Sequence, residues 1–345
     1  MNIDINLSKK YKIYLEKNSI KKLRSFIRQS YPKAKIAVIT DDKVKSLHFD
    51  KLENELVGRN YSTFILKNGE DSKNTSNLIS ILEFLAENNF KREDLLIAFG
   101  GGVIGDIGGF AAGVYLRGID FIQIPTTFLS AIDSSIGGKT AVNLNAGKNL
   151  MGIFNQPSAV FIDRNFLKTL SDHDFSDGVA EAIKYGMIKD EKIIELFEKE
   201  EINQSSSYLD EIIYRSLIIK KEVCEEDEFD KGLRQILNYG HTFGHAIEKV
   251  SKLKISHGHA VAVGMLIMVR YFYKSYNKDF EKLLDKYGLL RKIDFPLEKI
   301  IEYTKRDKKS FNDFINIIVV RKKAHAKIEK VSYEKLGNIY EQAKD

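Results

Sequence analysis

DLLIAFGGGVIGDIGGFAAGVYLRG, residues 94–118, sets an unbroken apolar run against three consecutive glycines and then a segment of small residues. An apolar run of this length, closed by a turn signal, reads as a fully buried strand, and the small residues after it read as a helix lying close to that strand. Glycine at 100, 101 and 102 lets the backbone approach a ligand. The first amides of the following helix point at that ligand, an arrangement that suits a pyrophosphate. Asp106 then stands where it can hold a polar part of a nucleotide. The spacing is not G-x-G-x-x-G, so the residues alone give a nucleotide site of unspecified type, against the plain alternative of a tight turn.

The same alternation of short β-branched runs and helical patterns extends to about residue 165, which is the sequence form of βα units around a largely parallel sheet. The other strand candidates are YKIYLE (11–16), KIAVIT (35–40), STFILK (62–67), DFIQIPTT (120–127) and AVFID (159–163). Between them, SIKKLRSFIRQ (19–29) and SNLISILEFLAENN (76–89) carry apolar residues at three- and four-residue spacing and read as covering helices. Beyond Phe166 the pattern changes to long amphipathic segments, among them the stretch from Gln235 to Val250 and AVAVGMLIMVRYFYKSY. The expected organisation is an α/β domain over 1–168 and a mainly α-helical domain over 169–345.

Composition narrows the class. The 345 residues include 43% hydrophobic and 30% charged residues, as in a packed globular protein. The net charge of +6 comes from 54 Lys and Arg against 48 Asp and Glu with no long basic run, which argues against nucleic acid and for small anionic partners. Cys224 is the only cysteine, so neither an intrachain disulfide nor a cysteine-rich zinc module is expected. The N-terminal residues do not read as a signal peptide, and no stretch approaches the roughly 18 apolar residues of a membrane span. A cytoplasmic enzyme without a membrane partner is the expectation.

Next comes IPTTFLSAIDSSIGGKTAVNLNAGKNLMGIFNQP (124–157), in which a strand ends in Thr126 and Thr127 and is followed by Asp133, Lys139, Lys148 and Asn149. GGKT looks like part of a Walker A motif, but the glycine this motif needs earlier is replaced by Ile132 or Asp133, so that reading fails. What is left is a polar, glycine-supported loop whose two lysines can meet an anion.

Farther on, GVAEAIKYGMI, RQILNYGHTFGHAIE and ISHGHAVAVGM supply Glu181, His241, His245, His257 and His259, so four of the seven histidines lie between residues 241 and 259. Imidazole and carboxylate together suit zinc, and three protein ligands with one open position describe a catalytic site. His241 and His245, four apart, would share a helix face, and spacing alone nominates both as ligands. Glu181 and Lys184, three apart, would also share a face, either as ligand and substrate charge or as an ordinary intrahelical ion pair.

GGGVIGD, PTTFLSAIDSSIGGKT, GKNLMG, EAIKYG and LNYGHTFGHAIE, in this order and with compatible spacing, resemble the 3-dehydroquinate synthase family over about residues 69–265. The resemblance implies a Rossmann-like NAD-binding α/β domain, a mainly helical metal-binding domain, one divalent metal, zinc or cobalt, and a homodimer. It assigns Glu181, His241 and His257 to the metal and leaves His245 facing substrate, against the spacing argument. It also implies NAD contacts from Glu70, Lys73, Gly101, Gly102, Val103, Asp106, Thr126, Thr127, Leu129 and Thr169. Asp133, Lys139, Lys148 and Asn149 fall where nucleotide and substrate meet. Arg117, Lys184, Lys220, Arg234, Asn238 and His245 match substrate-binding positions, as does Lys308 in RDKKS.

The reaction so implied turns 3-deoxy-D-arabino-heptulosonate 7-phosphate, a phosphorylated sugar acid, into 3-dehydroquinate. It is a redox-neutral cycle of hydride removal, phosphate elimination, hydride return and aldol closure. Rival readings are another sugar-phosphate cyclase, a dehydrogenase that would release reduced cofactor, and a catalytically silent nucleotide-binding protein. Two departures from the family stand out. His259 occupies a position where the family commonly has Glu, so the extra imidazole either tunes the surroundings of the metal or merely faces solvent. The segment FINIIVVRKKAHAKIEKV also replaces a glycine-containing terminal strand.

Overall fold

The computed structural model describes residues 1–252, 254–307 and 313–344, and divides them into two compact units, Met1–Leu170 with Lys220–Phe229, and Ser171–Ile219 with Asp230 onward.

In the first unit, β1 (Asn2–Asn6), β2 (Lys10–Leu15), β3 (Ile36–Asp41), β4 (Tyr61–Leu66), β5 (Leu95–Gly100), β6 (Asp120–Pro125) and β9 (Ala159–Ile162) form one sheet, in the order β1-β2-β9-β6-β5-β3-β4. The pairings from β2 to β4 are all parallel, and only the edge strand β1 runs antiparallel. Strand β5 shows why its sequence is apolar throughout: Leu95, Ile97 and Phe99 enter one core, and Leu96 and Ala98 enter the other. The first core is covered by α1 (Leu23–Ser30) and α2 (Asp42–Glu55), the second by α3 (Thr75–Glu87) and α4 (Gly102–Val114). The resulting α/β, Rossmann-like architecture is the one the glycine-flanked strand predicts.

The loop expected after residue 137 is instead an antiparallel hairpin of β7 (Lys139–Leu144) and β8 (Gly147–Phe154). Polar residues and glycine interrupt the apolar alternation that marks strands, so the pattern gave no sign of it.

The second unit is mainly helical, as expected. It is built from α5 (Asp172–Ile188), α6 (Glu191–Lys199), the larger part of α7 (Leu209–Glu226), α8 (His241–Val250), α9 (His257–Phe272), α10 (Asn277–Lys286), α11 (Leu297–Asp307) and α12 (Tyr333–Ala343). The divergent tail adds an antiparallel hairpin of β10 (Phe314–Val320) and β11 (Ala326–Ser332). The central element is α9, whose residues from Gly258 to Val269 are all buried and which packs on α5, α8, α10 and α12.

The stretch expected to be helical from Gln235 does not run straight into α8. A 3-10 segment, Leu233–Asn238, precedes Gly240, whose φ of 79° breaks the chain direction just before His241. A side chain at 240 would be strained by that φ and would press on Met265 and Val261 O. Gly264 of α9 sits so close to Gly240 O that an added Cβ would lie 2.0 Å away. These glycines let α8 and α9 touch backbone to backbone.

Candidate active site

Three helices of the second unit bring Glu181, His241 and His257 together. Glu181 lies at 0% exposure in the middle of α5, whereas His241 and His257 are the first residues of α8 and α9. Gly258 allows α9 to begin against α5, since an added Cβ would lie 2.4 Å from the Asp177 backbone, one turn before Glu181. The Nε2 atoms of His241 and His257 each stand 3.5 Å from the same carboxylate atom, Glu181 Oε1. Bonds of about 2.0–2.1 Å to a tetrahedral zinc put its ligand atoms roughly 3.4 Å apart, so this donor set fits a divalent ion closely.

The remaining polar atoms hold the donors in place. Lys184 Nζ donates to Glu181 Oε2, which leaves Oε1 to the imidazoles. Both ion-pair partners are buried, which bears out the ion-pair reading of this i,i+3 spacing. His241 Nδ1 is 3.2 Å from Tyr239 O, and His257 Nδ1 is 3.3 Å from Glu248 Oε2. Each acceptor fixes the tautomer that turns the Nε2 lone pair to the site. Burial pushes the His241 imidazole down to about 3. Burial also opposes charge on His257, but its hydrogen bonds to Glu181 and Glu248 outweigh this and hold it up to about 10.

His245 follows His241 by one turn of α8, with ring centroids 5.2 Å apart, yet its ligand atom groups with Glu248 and His257 and not with Glu181. Nothing in the sequence around Glu248 set it apart from a surface acid on a helix, but it is buried and holds the His257 ring. Arg234 and Asn238 lie in the 3-10 segment that leads to Gly240, with Arg234 buried. The extra imidazole of His259 turns away from the three donors to Asp177 Oδ1, 3.1 Å from its Nδ1. Lys308 lies outside the described residues.

In the first unit the glycine turn has the shape of a ligand cradle. Gly101 caps α4 in extended conformation, and Gly102 and Val103 open the helix. A Cβ at Gly101 would lie 2.9 Å from Thr127 Cγ2 and one at Gly102 would lie 3.1 Å from Ser134 Oγ, so only bare backbone fits. Amides at this helix start face outward as anion donors, which suits the pyrophosphate of NAD.

Around the turn, Lys73 Nζ donates to Asp106 Oδ2 and, at 2.5 Å, to Asn149 Oδ1. Asn143 Nδ2 donates to Glu70 Oε1 at 2.7 Å, and Asn143 Oδ1 accepts from the Asn149 amide at 2.9 Å. Burial raises the Asp106 carboxyl, against the pull of Lys73. Five of these residues thus form one network, and Asn143 was not foreseen because the hairpin that carries it was not. Thr126 is buried beside the turn with its amide on Gly100 O, and Thr127 Oγ1 lies 2.7 Å from Ser130 Oγ at the start of a helical turn after Leu129. Lys220 Nζ donates to both Asp133 O and Asp133 Oδ1.

Thr169 Oγ1 is engaged by His48 Nε2 at 2.8 Å. Lys139 begins β7 exposed, and Lys148 is half-buried on β8. Arg117 is exposed beyond the far end of α4, so the 13 residues of that helix separate it from the glycine turn by about 20 Å.

Residues 63–177 match the family model described as 3-dehydroquinate synthase N-terminal, and residues 178–310 match the one described as 3-dehydroquinate synthase C-terminal. A 3-dehydroquinate synthase of Clostridium kluyveri is 43% identical, with 98% of this chain and 97% of that protein aligned. One of Streptococcus mutans is 38% identical over 99% of this chain and all of its own length. Among solved structures, 2-deoxy-scyllo-inosose synthase complexed with carbaglucose-6-phosphate, NAD+ and Co2+ superposes with a TM-score of 0.89 at 25% identity, covering 99% of both chains. An iron-containing alcohol dehydrogenase of Thermotoga maritima shares the fold at a TM-score of 0.66 and 15% identity, over 96% of this chain and 97% of its own.

Proposed function

The chain belongs to the 3-dehydroquinate synthase family, and from that premise we propose that Glu181, His241 and His257 hold its divalent metal and that the Gly101–Gly102 turn seats the NAD pyrophosphate. The chain is an enzyme of the carbon-oxygen lyase class that converts 3-deoxy-D-arabino-heptulosonate 7-phosphate to 3-dehydroquinate and phosphate, using NAD and a divalent metal. The observation that carries the site assignment is the pair of 3.5 Å approaches to one buried carboxylate oxygen by two imidazoles whose other nitrogens are already held.

When bound, NAD supplies a reversible hydride acceptor and the metal polarises the substrate hydroxyl. The chain's own residues do the rest. Gly101, Gly102 and Val103 present amides to the cofactor, and Glu70, Lys73, Asp106, Thr126, Thr127, Leu129, Asp133, Lys148 and Thr169 complete its contacts. Lys184 donates to Glu181 beside the metal donors, and the two are buried together. Arg117, Lys139, Asn149, Lys184, Lys220, Arg234, Asn238 and His245 are the substrate contacts, and cationic groups suit a ligand bearing both phosphate and carboxylate. His245, with an imidazole in reach of the donors but outside the set, moves protons.

In this reading residues 1–168 serve NAD and residues 169–345 serve metal and substrate. The protein works in the cytoplasm without nucleic acid or membrane; among the described residues no helix is long and apolar enough to cross one. It also works as a homodimer. The about 20 Å between Arg117 and the glycine turn supports this, because a partner copy can deliver that guanidinium where its own chain does not. The apolar residues that β8 exposes, Leu150, Met151, Ile153 and Phe154, suit the same contact.

The test is phosphate release from 3-deoxy-D-arabino-heptulosonate 7-phosphate with catalytic NAD and zinc, the organic product being identified by mass and NMR. Release of 3-dehydroquinate without net NADH is expected. Net NADH, or no turnover by folded and metal-loaded protein, would overturn the reading.

A further inference from the structure

A second group of metal-ligating side chains lies on two of the three helices that carry the first, α5 and α9, and shares no residue with it. His173 and Asp177 are four apart on α5, and His259 is the third residue of α9. One donor atom from each falls within 4.8 Å of the others. The imidazoles of His173 and His259 stack with centroids 4.6 Å apart and planes 17° off parallel.

Asp177 Oδ1 is the hub. It lies 3.1 Å from His259 Nδ1 and accepts from Ser256 Oγ at 2.7 Å and the His259 amide at 3.2 Å. Ser256 Oγ also lies 2.8 Å from His259 Nδ1, and Ser176 Oγ lies 3.4 Å from His259 Nε2. His259 and Asp177 are thus locked by their surroundings, with His259 at 3% exposure. His173 stands at the surface, its side chain 57% exposed, where a change of rotamer swings its ring inward at little cost.

We infer that His173, Asp177 and His259 form a second divalent-cation site, of the zinc class, that clamps the start of α5 to the start of α9. Two imidazoles and one carboxylate are a zinc-type donor set, and the 3.1 Å between His259 Nδ1 and Asp177 Oδ1 is close to the roughly 3.4 Å edge of a tetrahedral zinc site. The ion takes the place of the proton between these two atoms, that proton goes to solvent, His173 becomes the third ligand, and water fills the open position. An ordinary Asp–His hydrogen bond accounts for the inner pair but gives no reason for a second imidazole stacked on the first. The consequence reaches the active site. Asp177 precedes Glu181 by one turn of α5, and His259 follows His257 by two residues of α9, so the clamp fixes the two helices that present those ligands.

The experiment is zinc titration of chelator-stripped, full-length protein, with bound zinc counted by elemental analysis after gel filtration. Wild type is expected to hold two zinc ions per chain, and the surface variant His173→Asn one. Glu181→Gln, which removes the proposed catalytic ligand, is expected to keep the second ion, so failure of either site is seen separately. A single zinc in wild type that vanishes in Glu181→Gln overturns the inference. So does a second zinc that persists in both His173→Asn and a His259→Gln variant whose far-ultraviolet circular dichroism matches wild type.

Discussion

At the level of single residues, the proposed metal site depends on atoms that the metal would not touch. Glu248 acts through His257, holding Nδ1 so that Nε2 faces Glu181. Glu248→Gln keeps size but loses charge, and such outer partners are worth about 10–100-fold in metal affinity. Chelator competition is expected to show zinc affinity falling in that range, with turnover restored by excess zinc; an unchanged affinity would remove Glu248 from the site. Lys184→Ala makes a different cut. It leaves Glu181 buried without its cation, yet the bound metal supplies compensating charge, so zinc content should survive while turnover falls by about 100-fold or more. Full activity in a zinc-loaded Lys184→Ala sample would withdraw the lysine from the chemistry. A third residue ties stability to pH. Burial, with Lys51 adding to it, pushes His48 down to about 4, and its neutral ring bridges Lys51 Nζ and Thr169 Oγ1. A depressed folded value means the stabilisation is complete above the unfolded value of 6.5 and is lost as pH falls towards 4. Between pH 7 and 4.5 the loss from this group should be about 2 kcal/mol. His48→Gln should flatten that limb of the stability profile, and an equally steep limb in the variant would assign the loss to other groups.

At the level of elements, the contact between α8 and α9 sets the distance between His241 and His257. Gly264→Ala puts a methyl 2.0 Å from Gly240 O, backbone against backbone, and neither helix can yield by a rotamer change. Overpacking of this kind costs about 1–3 kcal/mol, and because each helix carries a ligand at its first residue the same variant should bind zinc more weakly. Urea unfolding and zinc titration of one sample measure both, and a destabilised variant with normal zinc affinity would show that the ligands are set independently of this contact. The same elements explain what the sequence disclosed. Strand β5 and its glycine turn were legible because burial on both faces writes an unbroken apolar run, and a backbone-only approach writes glycine. The hairpin of β7 and β8 was not, because its residues alternate neither in polarity nor in size. Helix-face reasoning put His245 with His241 because it sees one helix at a time, whereas the imidazole that groups with Glu181 and His241 comes from α9, whose place beside α8 is a tertiary fact. The family resemblance supplied His257, and no local pattern pointed to Glu248 or Asn143.

At the level of the whole molecule, the unresolved requirement is Arg117. It matches a substrate-binding position, yet it is exposed beyond the end of α4, about 20 Å from the turn at the other end. Its backbone, with φ of 67° after Leu116 at 50°, holds it in a left-handed conformation that non-glycine residues adopt at a cost. Delivery to a partner chain's site reconciles the position with the role, and mixing two inactive variants tests it. In a hybrid of one Lys184→Ala chain and one Arg117→Ala chain, exchange across a two-fold axis places both lesions in one site and leaves the other with an intact Lys184 and an intact Arg117. Random mixing makes half the dimers hybrid with one working site each, so activity should recover to about a quarter of wild type. If Arg117 serves its own chain, every site carries one lesion and mixing restores nothing. Refolding the two variants together and assaying phosphate release, with the dimer confirmed by sedimentation, therefore decides between a site completed by a partner and one completed within the chain.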